Sequence, residues 1–521
     1  MESMYFTLVV CFASVVLLYA WKVLDTWWFR PKSIEKLLRQ QGFRGNSYRF
    51  MLGDLKELAA MHRQAKSKPI AFDDDIKLRI MPFLIKTLNK YGNGSFLWMG
   101  PTPKVIITDT DLVKEVMSNN YTYLKQSSPN PITKKLIQGV VLLETDKWAK
   151  HRKILNPAFY IEKLKLMVPA FYMSCEEILN KWETQISPKG SCEIDVWPYI
   201  ENLTGDVISR TAFGSNFEEG RKIFELQEEQ TEYVLNILQT IYIPGWRFLP
   251  TKVNKRMKAI EKEVKSLILG MIEKRIEAIK VGRGEHKADL LTSLLESNFQ
   301  EIENQGNKSH GMSIDEVIEE CKLFYLAGQR TTSVFIVWTL ILLSKYKDWQ
   351  ARARDEVLKV FRDKTPDYDG SNNLKLVTMI LLEVLRLYPP VVSVTRRLDH
   401  EAQLGNLTMP AGVEVVMPII MLHHDREIWG DDAMDFNPER FGEGVSKAQK
   451  GKGMYFPFGW GPRICLGQTF AMLEAKIALA SILQRFSLEL SPSYTHAPDD
   501  LISLVPQHGA HLVMHKIYGI E

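Results

Sequence analysis

The sequence predicts a mainly α-helical protein with a minor β-sheet, preceded by an N-terminal transmembrane anchor. Three observations carry this reading. Met4 to Trp21 is a run of eighteen residues without a charge, about the minimum for a membrane-spanning helix. Helical spacing of apolar residues dominates from about residue 160 to 390. Short β-like runs occur at Lys104–Thr108, at Val413–Met417 and near the C-terminus. Length alone, 521 residues, suggests two to four domains. No long Pro- or Gly-rich linker and no internal repeat follows the apolar run, so the chain reads as an anchor over residues 1–30 and one large unit over residues 31–521.

The apolar run has two readings, a retained anchor or a cleaved signal peptide. No basic residue precedes it and no clear small-residue cleavage site follows, which favours the anchor. Beyond it come Lys22, Arg30, Lys32, Lys36, Arg39, Arg44 and Arg49, against Asp25 and Glu35. That excess places the rest of the chain on the cytosolic side. Trp27 and Trp28 suit a membrane interface or ordinary packing. Further on, the polar stretch Phe299–Met312 reads as a surface loop. Ser313 and Glu316 then form a capping box ahead of a helix running to about Ser344. Another helix closes with Glu383-Val384-Leu385-Arg386 and stops at Pro389-Pro390.

A formal charge of +4 is nearly neutral for this length and gives no reason to propose nucleic acid as a partner. The five cysteines are odd in number, far apart and without a C-x-x-C pair. They argue for a reducing compartment rather than a disulfide framework.

The stretch Phe458-Gly459-Trp460-Gly461-Pro462-Arg463-Ile464-Cys465-Leu466-Gly467 concentrates the chemistry. A lone cysteine is usually a small buried hydrophobe. Here it sits in a glycine-punctuated turn, and an amphipathic segment with Phe470, Leu473, Ile477 and Ala480 at helical spacing follows. A thiolate there lies at a helix N-terminus, where free N–H groups favour negative charge. Gly461 and Gly467 are expected to let the backbone curl around the sulfur. One thiolate cannot build a zinc or iron–sulfur site, but it can be the single protein ligand of a haem iron.

The spacing Phe-x-x-Gly-x-Arg-x-Cys-x-Gly resembles, without a mismatch, the haem-binding loop of the cytochrome P450 family of haem-thiolate monooxygenases. The resemblance extends over nearly everything after the anchor and implies that family's fold, with residues 31–521 as the haem-thiolate catalytic domain. It implies haem b with Cys465 as axial ligand, Phe458, Arg463 and Gly467 around it, and O2 and NADPH-derived electrons as co-substrates. Trp148 and Arg152 resemble the family's Trp-x-x-x-Arg, whose side chains reach a haem propionate, and Arg396 and Arg463 are implied for the other propionate region. The Glu383–Arg386 pair, elsewhere an ordinary solvated contact, matches the family's Glu-x-x-Arg. With Arg440 of Pro438-Glu439-Arg440-Phe441 it is implied to form a buried network under the cysteine loop.

Ala327-Gly328-Gln329-Arg330-Thr331-Thr332 looks like the family's oxygen-activation motif. Thr331 can turn its hydroxyl to the Ala327 carbonyl and bend the helix. Gly328 either leaves room for dioxygen or serves tight helix packing. The motif departs from the family at Arg330, where an acidic residue is usual, and an arginine cannot relay protons as a carboxylate does. Either Arg330 points away into an ion pair, leaving Thr331 and water to deliver protons, or proton delivery is altered. By position in the family, the substrate walls come from Leu136–Leu142, Phe324, Ala327, Val391, Ser393, Val394 and Ser503–Leu504. These are mostly apolar, which suits a small hydrophobic substrate.

Adjacent His423 and His424, taken as strand residues, would face opposite sides and make no metal site. No G-x-G-x-x-G stands out, so electrons are expected from a separate NADPH–cytochrome P450 reductase. Lys147, Lys150 and Lys153, with Lys447, Lys450 and Lys452, offer a basic face for it or are simply solvated. The implied setting is the endoplasmic reticulum membrane, single-pass, in contact with membrane lipid. Leu38–Asn46, Tyr242–Gly245 and Gln507–His511 look like a plant group of the family that includes secologanin synthase. That group oxidises iridoid glucosides of the loganin type, triterpenoids and some hormones, so a terpenoid substrate is expected. A haem-thiolate isomerase or dehydratase working without reductase, or a non-catalytic haem protein, is the alternative.

Overall fold

The computed structural model describes residues 2–125, 136–186, 190–214, 217–238, 249–281, 289–449, 453–500 and 502–517. The stretch Tyr242–Gly245, Lys450 and Lys452 lie outside them. The chain is mostly helical with small sheets, and divides into two compact units.

The first unit comprises Met1–Ser67, Lys77–Gln126 and Ser393–Pro418. Helix α1 (Glu2–Leu24) passes through a π-helical turn, Asp25–Phe29, into α2 (Arg30–Gln40). The apolar side chains of α1 are exposed, with nothing in the protein covering them. A water-facing helix of that composition would be unfavourable, so it is compatible with a lipid environment. Trp28 packs on Tyr48 (6.2 Å between ring centroids) and Phe50 (5.9 Å), and Tyr48 Oη donates to the Trp27 carbonyl at 2.6 Å.

A six-stranded mixed sheet forms the rest of this unit's frame, in the order Arg44–Gly45, Ser95–Met99, Thr102–Ile106, Glu414–Met417, Val394–Arg397 and Leu124–Lys125. The two β-like runs read from sequence are its central neighbours, paired in parallel with Val105 opposite Val415. Their β-branched residues are buried, which suits a sheet covered on both faces.

The second unit comprises Lys68–Ile76, Ser127–Val392 and Ile419–Glu521. Its helices that bear on function are α3 (Thr145–Leu155), α4 (Trp197–Phe213), α5 (Ile314–Lys345), α6 (Lys375–Leu387), α7 (Ile419–His423) and α8 (Gln468–Arg485). The capping box starts α5 as expected, with Glu316 N bonded to Ser313 Oγ at 3.3 Å and Ser313 N to Glu316 Oε2 at 2.9 Å. From Thr332 to Ser344 every residue of α5 is buried. Phe470, Leu473, Ile477 and Ala480 turn α8 into the core, where Phe171 meets Phe470 edge-on at 5.0 Å. A three-stranded antiparallel sheet of Phe486–Leu490, His511–Lys516 and Ser191–Asp195 closes this unit.

Two expectations are corrected. The stretch Phe299–Met312 is not a plain loop: a helix extends over Leu290–Gln305 and a 3₁₀ turn follows at Lys308–His310. The return is fixed by the Asn298 side-chain amide, which donates to Met312 O at 3.0 Å and accepts from Met312 N at 2.6 Å. His423 and His424 end a helix rather than occupying a strand.

Candidate active site

The cysteine turn is held by its own backbone. Cys465 N donates to Phe458 O at 2.8 Å, and Gly459 and Gly461 supply left-handed conformations at φ 78° and 70°. Gly467 does not share this role. Its φ is −88°, and a Cβ there would meet Phe159 only at an ordinary 3.9 Å. Gly459 carries the demand expected of Gly467. Cys465 is exposed and stands three residues before the first residue of α8, whose first amides have no partner within the helix.

Helix α3 brings a cation to this turn. Arg152 Nη1 donates to Ile464 O at 2.9 Å, and Arg463 lies over the Trp148 ring at 4.6 Å. Arg463 Nη1 also donates to Leu143 O at 2.7 Å, and its other nitrogen pairs with Glu144. Burial lowers the pKa of both arginines, opposed at Arg152 by the negative field of Cys465 and at Arg463 by Glu144. Among the described residues no carboxylate pairs with Arg152. A desolvated cation without a carboxylate partner, beside an exposed sulfur just ahead of a helix, fits an anionic cofactor that takes one thiolate ligand, and haem has those properties. Arg396 belongs to the other unit, where it is buried on strand Val394–Arg397 and donates to Thr395 O at 3.2 Å.

On α5 the side chains divide by direction. Thr331 Oγ1 donates to Ala327 O at 2.8 Å, the back-bond read from sequence. Ala327 is exposed and Thr331 partly so, an opening between the buried stretches Cys321–Tyr325 and Thr332–Ser344. Arg330 turns away from that opening. Its Nη1 lies 2.5 Å from Glu201 Oε1 on α4, with its guanidinium 5.5 Å from the centre of the Trp197 ring. Gln329 adds a bond to the Glu201 carbonyl at 3.2 Å. Gly328 serves packing: a Cβ there would fall 2.3 Å from Ile208 Cδ1 of α4.

Beneath the turn, the Glu383 carboxylate takes Arg386 Nε at 2.7 Å and Nη2 at 2.8 Å, Asn437 N at 3.0 Å and Arg440 Nε at 3.4 Å. Glu383 and Arg386 are fully buried, so each charge is offset by its partner. Arg386 Nη1 continues to His423 O at 2.8 Å, and His423 Nε2 accepts from Phe456 N at 2.9 Å. The network thus reaches the segment that leads into Phe458. Burial and Arg386 push His423 down to about 3, which keeps it neutral and able to accept. The sequence excludes only a metal role for His423, which is a core residue here, and does not display its partners or those of Glu144 and Glu201, because they lie far away along the chain.

The proposed substrate walls are placed unevenly. Phe324 is buried edge-on against Phe159 (5.9 Å), the residue nearest the Gly467 position. Val391, Val141 and Leu142 are exposed. Leu504 is fully buried: its amide donates to Pro390 O at 3.1 Å and its carbonyl accepts from Trp338 Nε1 at 2.6 Å. Ser393 and Val394 lie in the first unit. The lysines read as a basic face are engaged within the chain: Lys147 with Glu316 (2.7 Å), Lys150 with Gly311 O (2.9 Å), Lys153 with Glu301 (2.7 Å) and Lys447 with Glu443 (2.7 Å).

An exposed cysteine ahead of a helix and beside a desolvated arginine, in a chain whose long helix α5 is opened at one turn, is the arrangement of a haem-thiolate protein. A family model described as Cytochrome P450 matches residues 77–513. A cytochrome P450 CYP72A219 of Panax ginseng is 58% identical over 97% of this chain and 98% of its own length. From Catharanthus roseus, a 7-deoxyloganic acid hydroxylase is 55% identical (97% and 98%) and a secologanin synthase 1 is 52% identical (97% and 96%). The chain belongs to the cytochrome P450 family and is a haem-thiolate monooxygenase that uses dioxygen and reducing equivalents. The exposed apolar α1 is compatible with membrane anchoring.

Proposed function

We propose that this enzyme inserts one oxygen atom into a terpenoid of the iridoid or triterpenoid class, at the endoplasmic reticulum membrane, with electrons from NADPH through a separate reductase. The observation that carries the monooxygenase reading over an isomerase or dehydratase is the direction of Arg330. Its charge is held by Glu201 on α4, while Ala327 is exposed and Thr331 partly so. The substrate class rests on the relatives, whose names include 7-deoxyloganic acid hydroxylase and secologanin synthase.

When bound, the haem supplies dioxygen activation and the oxidising power for C–H attack. Cys465 Sγ would supply the one protein ligand to its iron, and the Arg152 guanidinium and the Trp148 indole would take a propionate. Arg463, engaged with Glu144, would fix the rim of the turn. The Thr331 hydroxyl can release the Ala327 carbonyl and donate its proton toward the open side, with water restoring it. The Glu383–Arg386–Arg440 network and His423 would hold the turn in register. Ala327, Val391, Val141 and Leu142 would exclude water from the substrate, with Phe324 and Leu504 supporting them.

The test is turnover of a panel containing 7-deoxyloganic acid, loganin and oleanolic acid, with and without a plant NADPH–cytochrome P450 reductase. Oxidation of a terpenoid only when reductase and NADPH are both present supports the reading. Turnover independent of both would replace it with the isomerase reading.

A further inference from the structure

Three segments of the candidate site meet at one carboxylate that no motif singled out. Glu320, in the interior of α5, is fully buried. Its Oε1 lies 2.6 Å from Nδ1 of His151 on α3, a residue itself 1% exposed. Its Oε2 accepts from Val140 N at 3.1 Å, in the 3₁₀ turn Gly139–Val141. That turn is shaped to receive it. Gly139 has φ 70°, and a Cβ there would fall 2.7 Å from Glu320 Oε2. One helical turn earlier a second rung runs parallel, Lys147 to Glu316 at 2.7 Å, with His151 Nε2 3.6 Å from the same Glu316 oxygen.

A buried carboxylate is costly unless its oxygens are bonded, and an apolar side chain would fill the same place in a helix core without that cost. What the carboxylate adds is fixed direction toward two particular partners. Those partners sit next to functional groups. His151 adjoins Arg152 and lies one turn from Trp148, while Val140 precedes the exposed Val141 and Leu142 and the Leu143 and Glu144 groups that hold Arg463.

We propose that Glu320 is a positioning residue. It locks the Gly139–Leu143 turn and α3 to α5, so that the substrate-facing wall, the Arg152 cation and the opened turn at Ala327–Thr331 keep one geometry. This rests on the monooxygenase site described above. The expected consequence is control of which ligands the site admits, not of iron ligation.

The test uses the full-length holoenzyme carrying Glu320→Gln or, separately, Gly139→Ala, which leaves the carboxylate in place and crowds it. Hydrogen exchange is followed in peptides spanning Gly139–Leu143 and α3, and 4-phenylimidazole is titrated spectrally. The CO-bound reduced spectrum reports thiolate ligation separately, so loss of the thiolate band already in the unaltered enzyme sinks the site reading and not this one. In both variants, exchange in those peptides is expected to rise about tenfold, as for loss of a buried charged hydrogen bond. The 4-phenylimidazole constant is expected to shift about fivefold or more from the altered wall. The sheet Phe486–Leu490 with His511–Lys516 keeps its protection and the CO spectrum is unchanged. Unaltered exchange and binding in both variants overturns the proposal. So does loosening spread evenly over the second unit, or failure of both variants to incorporate haem, since either marks a general structural role.

Discussion

Arg330 Nη1 and Glu201 Oε1 lie 2.5 Å apart, so the cation that stands where the family usually has an acid is bound to the neighbouring helix and not to the opened turn. The pair is partly buried, which makes its charges matter more than those of a surface contact. Arg330→Glu sets two carboxylates against each other and is expected to cost about 1–3 kcal/mol, read as a lower melting temperature. The double variant Arg330→Glu/Glu201→Arg is expected to regain most of it, and with it the wild-type product formed per NADPH consumed. A double variant no better than the single one would show that the pair does not hold Arg330.

The same pair predicts a pH dependence. Burial pushes the Glu201 carboxyl up to about 7 against the opposing pull of Arg330, with Glu228 and Asp195 adding like charge. The folded state therefore binds this proton more tightly than the unfolded chain. Stability attributable to Glu201 is full below the unfolded carboxylate range and is lost as pH rises toward 7, by roughly 3 kcal/mol at most. Glu201→Gln is expected to flatten that part of the curve. Chemical denaturation at several pH values between about 4.5 and 7.5 checks the slope.

His423→Ala removes the acceptor for Phe456 N and leaves a buried donor unpaired. The expected cost is about 1–3 kcal/mol, with a larger share of enzyme losing the thiolate–CO band on reduction. Because His423 is driven down to about 3 in the folded state while an unfolded imidazole titrates near 6.5, its contribution is expected to be full at neutral pH and to fall as the pH drops below about 6.5. Substitution by Asn, which keeps an acceptor, is the matching control.

At Gly328 an added methyl meets Ile208 Cδ1 at 2.3 Å. Gly328→Ala is expected to destabilise by about 1–3 kcal/mol through overpacking, and Ile208→Ala in the same chain to relieve it. Without such relief, the glycine would have to be explained by the open side of the helix.

Deleting residues 2–24 removes a helix whose apolar span is not buried in the protein. The shortened enzyme is expected to keep its melting temperature and CO spectrum, whereas the full chain stays with membranes through alkaline carbonate washing.

Local pattern made several elements legible. The Ser313–Glu316 cap, the Thr331 back-bond to Ala327 and the inward face of α8 each involve residues within a turn or two of each other, so spacing carries them. The cysteine turn was legible through its residue types, but the division of labour among its glycines was not. Gly459 and Gly467 differ only in backbone conformation, which the sequence does not display. Glu201, His423 and Glu320 were not legible because their partners are separated by tens to hundreds of residues. A buried Glu looks like a solvated one until the fold brings His151 and Val140 to it. The resemblance to a family named the positions but left the direction of Arg330 open, since that depends on a carboxylate placed on another helix.

The most direct measurement is turnover of an accepted terpenoid by the full-length chain with reductase and NADPH under labelled dioxygen, followed by mass spectrometry of the product. An intact oxygen-activating turn with Arg330 held by Glu201 predicts one labelled oxygen atom in each product molecule and no turnover under nitrogen. Product formed without oxygen, or oxygenated product carrying no label, would contradict it.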